Sequence, residues 1–101
     1  VGMCLDTAHL FAAGHPVHEA AGLEELVSGL RNRGLLDRVW LIHLNDSASP
    51  LASNRDLHEN PGDGLIGYQG LGRVVRHAAL AHIPFVLEVL EPTATIQTQR
   101  T

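Results

Sequence analysis

The sequence predicts an α/β fold built on a parallel sheet, and three observations carry that expectation. Three short apolar runs, Val1–Leu5, Val39–Leu44 and Ile83–Leu87, are separated by segments with helical periodicity. Alternation of this kind argues for parallel strands joined by right-handed crossovers. Each run also delivers a ligand-capable side chain near its carboxyl end, namely Asp6, His43 and Glu88. The carboxyl ends of the strands are where parallel α/β folds place their sites. Finally, 101 residues with 45% apolar content suffice for one small core.

The first run meets an acid at Asp6 and is followed by an expected loop over residues 7–14 that contains His9. Pro16 can open a helix, because its missing N–H costs nothing in the first turn. Leu23, Leu26, Val27 and Leu30 then fall on one helical face between His18 and Leu35. Glu19, Glu24 and Glu25 lie towards the positive end of that helix and Arg31 and Arg33 towards its negative end, with Gly34 as the stop. The second run is continuous enough to suit a strand covered on both faces. Residues 47–67 show no period and hold Pro50, Pro61, Gly62, Gly64 and Gly67. Loops of this length in small domains are usually functional or disordered. A second helix is expected over residues 70–81, with Leu71, Val74, Val75 and Ala78 on one face, and the third run follows it. The closing stretch from Glu91 is rich in Thr and Gln and has no pattern.

Composition excludes some classes. Net charge is -4, and all seven basic residues are Arg, so formal charge alone argues against nucleic-acid binding. Bound divalent cations would change that balance. Cys4 is the single cysteine, which leaves no internal disulfide and no Cys-based zinc motif; a buried apolar role is expected for it. No apolar run approaches membrane-spanning length and no signal peptide is visible, so a cytoplasmic location is expected. An apolar strand beginning at Val1, with no initiator Met, suggests a chain cut from something longer.

Asp56 and His58 lie two apart in a loop flanked by breakers; in extended backbone both side chains point to one side. With Asp6, His9, His43 and Glu88 they form a set of six candidate metal ligands. Their mix of oxygen and nitrogen donors suits Zn²⁺, Mn²⁺ or Fe²⁺. Six ligands exceed one tetrahedral site and allow two metal positions. Plainer roles stand beside this one. Asp6 can cap a helix, His43 can be a satisfied buried histidine, and Asp56 can form a turn. Glu88 is harder to set aside, since an unpaired carboxylate in an apolar strand is costly. His15, His18, His77 and His82 are expected to be ordinary, the last two favouring a helix end.

Four blocks resemble endonuclease IV, in that family's order. They are Leu5-Asp6-Thr7-Ala8-His9-Leu10-Phe11-Ala12-Ala13-Gly14, then His43-Leu44-Asn45-Asp46-Ser47. After them come Asp56-Leu57-His58 with Gly62-Asp63-Gly64-Leu65-Ile66-Gly67, and finally Leu87-Glu88 with Pro92. The resemblance implies the C-terminal portion of a (β/α)₈ TIM barrel, about its last three strands and helices, as a partial domain over residues 1–90 with a divergent tail over 91–101. It implies a zinc enzyme, with up to three ions in the family, that cleaves DNA 5′ to abasic sites in base excision repair. Its partner is double-stranded DNA bearing such sites; no protein partner is evident. By the same resemblance Asp6, His43 and Glu88 would share one zinc and His9, Asp56 and His58 another, with Glu88 as the catalytic carboxylate. Leu57 replaces the usual Arg and Val89 the usual Thr, and the family's remaining ligands lie upstream of Val1. Two other functions compete. One is a sugar isomerase or epimerase on a related barrel, which has no need of the second ligand set. The other is a fragment that binds metal without catalysis. A third of a barrel exposes sheet edges that closure hides, so the isolated chain is expected to be poorly stable or associating.

Overall fold

The computed structural model describes residues 2–87. Three parallel strands, β1 (Met3–Asp6), β2 (Val39–His43) and β5 (Phe85–Val86), form a sheet in the order β1-β2-β5. Each crossover therefore places the next strand one step further along in the same direction. A doubly wound sheet would instead reverse its strand order. The register pairs Asp6 with His43 and His43 with Val86, so the carboxyl ends of the strands lie level.

Strand alternation puts Leu5, Ile42 and Phe85 on one face and Cys4, Asp6, Leu41, His43 and Val86 on the other. The first face packs under the helices, where Phe11, Val17, Leu23, Val27, Leu71, Val74 and Leu80 complete the core. The second face has no layer over it among the described residues. Cys4 is exposed there, against the expectation of burial, because it points away from the helices. Nor is β2 buried on both faces: Ile42 is buried on the first, whereas Leu41 and His43 on the second are half-buried.

Helix α1 (Thr7–Ala12) occupies the stretch expected to be a loop. Asp6 caps it by accepting the His9 N–H, and Thr7, Ala8, Phe11 and Ala12 are buried, so a local cap and core packing sustain six residues. Helix α2 (Ala20–Asn32) is shorter than the sequence suggests, and Pro16 lies in the turn before it. Both helices end alike. The Gly14 N–H donates to the Phe11 carbonyl and the His15 N–H to that of Leu10; Gly34 and Leu35 do the same with Arg31 and Leu30. This is the Schellman arrangement, and Gly14 (φ 110°) and Gly34 (φ 69°) supply the left-handed residue it requires.

Helix α3 (Gly67–Arg76) starts three residues earlier and stops five earlier than its periodicity predicts. Its start is set from a distance by Asp46, and beyond Arg76 the chain turns back through His77, Leu80 and Ile83. His77 Nε2 lies 2.9 Å from Glu24 Oε1 and ties this turn to α2. The long segment between β2 and α3 is ordered into a two-residue antiparallel pair, β3 (Asp46–Ser47) with β4 (His58–Glu59).

Candidate metal centre

Asp6 stands where β1 becomes α1, and that position fixes its carboxylate. Oδ1 accepts the His9 N–H at 3.1 Å, and Oδ2 accepts from Asn45 Nδ2 at 3.1 Å. Capping the helix is compatible with a ligand role for Asp6: Oδ1 accepts the cap bond, while Oδ2 also lies 3.4 Å from His58 Nε2.

His58 is brought to Asp6 by the β3–β4 pair, in which Ser47 opposes His58 and the Ala48 N–H donates to the Leu57 carbonyl at 2.9 Å. Within this pair Asp46 is fully buried, and its carboxylate accepts the backbone N–H groups of Ser47, Gly62, Gly64, Ile66 and Gly67. One side chain thus satisfies five donors, four of them in an irregular segment that has no ladder of its own. The carboxylate also lies at the positive end of α3. A Cβ on Gly64 would collide with the Ser47 carbonyl and with Asp46 itself, so the close approach requires glycine.

Residues 48–57 are pinned at both margins. The Ala52 and Asn54 N–H groups donate to the Phe11 and Ala12 carbonyls of α1 at 3.0 and 2.8 Å. Ser49 Oγ donates to the Arg55 carbonyl. Ala52 and Asn54 adopt left-handed backbone, at φ 62° and 60°. These contacts carry Asp56 back over α1, between two imidazoles. Its Oδ2 is 3.3 Å from His9 Nδ1, and its Oδ1 is 3.3 Å from His58 Nε2. His58 Nε2 is also 3.4 Å from Asp6 Oδ2.

Asp6, Asp56 and His58 each offer a donor atom, and the three atoms lie within 4.8 Å of one another. They come from segments fifty residues apart in sequence and meet at the carboxyl end of the sheet. His9 joins the margin through Asp56 but is 65% exposed, so its pairing is screened by solvent. His43 is the register partner of Asp6 on the neighbouring strand and is half-buried. Glu88 lies outside the described residues. The close group therefore takes one member from the first implied ligand set and two from the second.

The donor set fits a cation. A tetrahedral ion with bonds of about 2.0–2.1 Å needs neighbouring donors about 3.4 Å apart. His58 Nε2 stands at 3.4 and 3.3 Å from the two carboxylates, which a bare imidazole bridge would also satisfy. Carboxylates and imidazole are the ligand chemistry of Zn²⁺ and related ions.

Sequence reasoning did not give Asn45, Thr7 or Asp46 a structural part. Thr7 Oγ1 donates to the Asn45 carbonyl at 2.6 Å and accepts the Asn45 N–H at 2.9 Å. The available signal for Asp46 was an acid followed by Gly62, Gly64 and Gly67, three glycines with no periodic role.

A family profile described as "Xylose isomerase-like TIM barrel" matches residues 1–100. "Probable endonuclease 4" of Moorella thermoacetica is 49% identical over 88 residues, which is 87% of this chain and 32% of that protein. The protein of the same name from Halothermothrix orenii is 46% identical over the same shares. The crystal structure of endonuclease IV from Thermus thermophilus superimposes with a TM-score of 0.79 at 36% identity, over 92% of this chain and 34% of that one. The chain spans about a third of the length of the relatives it matches.

Proposed function

The chain belongs to the xylose isomerase-like TIM barrel family, and from that membership we propose that it is the metal-binding part of an endonuclease that incises DNA at abasic sites. The observation that carries this reading is the close approach of Asp6, Asp56 and His58 at the sheet's carboxyl end. Its similarity to proteins named endonuclease 4 supports nuclease over isomerase chemistry. So does the Asp56 carboxylate between His9 and His58, a second ligand set that a one-metal isomerase does not need.

Zinc is the proposed metal at two positions, one drawing on Asp6, His43 and Glu88 and the other on His9, Asp56 and His58, with Glu88 as the catalytic carboxylate; the close group of Asp6, Asp56 and His58 takes donors from both sets. When bound, such an ion lowers the pKa of a coordinated water to about 7 and offsets charge on the scissile phosphate. The protein's share is orientation. Asp6 is fixed through both oxygens. His58 is set by strand pairing and Asp56 by the pinned loop. The net charge of -4 repels a polyanion, so attraction must be local. Arg55, exposed and next to Asp56 in sequence, is the residue proposed to contact a backbone phosphate. A DNA substrate suits a cytoplasmic location. Among the described residues no helix is long and apolar enough to cross a membrane.

The test is a chimaera in which this chain replaces the matching third of Thermus thermophilus endonuclease IV. Zinc-loaded chimaera should nick a duplex carrying one abasic site, and His58→Ala should reduce the rate by at least about 100-fold. A folded, zinc-loaded chimaera with no incision would refute the nuclease reading.

A further inference from the structure

Asn45 follows β2 and is 1% exposed, and its Nδ2 donates to Asp6 Oδ2. A carboxylate accepts only, so the amide must present its NH₂ there. Asp6 Oδ1 is engaged by the His9 N–H and Oδ2 by Asn45 Nδ2, both at 3.1 Å. An ionised carboxylate has about four lone-pair sites. Engaging one on each oxygen fixes rotation about the Cβ–Cγ bond and leaves the others for a ligand. Oδ2, the oxygen Asn45 holds, is also the one 3.4 Å from His58 Nε2.

Asn45 is itself held. Its N–H and carbonyl both bond Thr7 Oγ1, at 2.9 and 2.6 Å, and Thr7 is buried next to Asp6. The link runs from one strand end to the next through a hydroxyl and an amide. Asp at position 45 would set a second negative charge against Asp6, and Ser would fall short of it.

We propose that Asn45 is a positioning residue, which aims the Asp6 carboxylate at the cation without touching the cation itself. The proposal rests on the metal reading above. Zinc affinity of the 101-residue chain, read by competition with a chromogenic chelator, tests it in a double-mutant cycle. Asn45→Ala should weaken zinc binding about 10–100-fold. In an Asp6→Ala background the same substitution should change affinity less than about twofold, because the group it acts through is gone. Equal losses in both backgrounds, or no loss in either, would overturn the positioning role. Should Asn45→Ala lose the far-ultraviolet circular dichroism spectrum of the wild-type chain, Asn45→Ser replaces it under the same two outcomes. A wild-type chain that binds no zinc overturns the metal reading and this proposal together, whereas zinc-binding wild type with an additive cycle overturns this proposal alone.

Discussion

Replacing Asp46 by Ala would leave five backbone N–H groups without their acceptor, two of them, on Ser47 and Ile66, in buried residues. Unsatisfied buried donors cost about 1–3 kcal/mol each before relaxation. Asp46→Ala should therefore destabilise the chain by about 3 kcal/mol or more in urea unfolding, at the upper end of single substitutions. Asp63, an exposed acid in the same segment, serves as the control, and its replacement by Ala should stay within about 0.5 kcal/mol. Equal effects would contradict the part given to Asp46. The candidate ligands were legible as residue types at strand ends and in an Asp-x-His pair. Asp46 was not, because a carboxylate that organises a distant loop leaves no local spacing. Asn45 and Thr7 escaped for the same reason: their partners lie 38 positions apart.

The apolar periodicity of α2 and the stop at Gly34 could be read directly, since both are local. Gly34→Ala should cost about 1 kcal/mol, because only the left-handed backbone is strained and no atom stands near its Cβ. Gly64→Ala should cost more, about 1–3 kcal/mol, because its Cβ meets backbone and the Asp46 carboxylate. It should also weaken metal binding by shifting β4, and thermal melts of the two variants side by side would check the ranking. Helix α1 was missed because six residues give little periodicity, and its stability comes from the Asp6 cap and from burial. The bounds of α3 were misplaced because its cap comes from Asp46 rather than from its own sequence.

The parallel sheet followed from alternating runs and helices, whereas the state of its second face did not. Cys4 and Val86 are exposed on that face, and Trp40 and Leu87 are exposed elsewhere. In a closed barrel the corresponding face is filled with side chains. Strands β1 and β5 are also edges of the three-stranded sheet. At micromolar concentration the isolated chain should associate or melt broadly, as judged by sedimentation velocity and differential scanning calorimetry. A monodisperse monomer with one sharp transition would show that the exposed face is tolerated. The proposed binding of a cation by Asp6, Asp56 and His58 is best tested by X-ray absorption at the zinc edge of the zinc-loaded chain. The expected spectrum has nitrogen and oxygen neighbours at about 2.0–2.1 Å, with an imidazole signature that His58→Ala diminishes. A spectrum of hydrated zinc, or of sulfur at about 2.3 Å from Cys4, would contradict it.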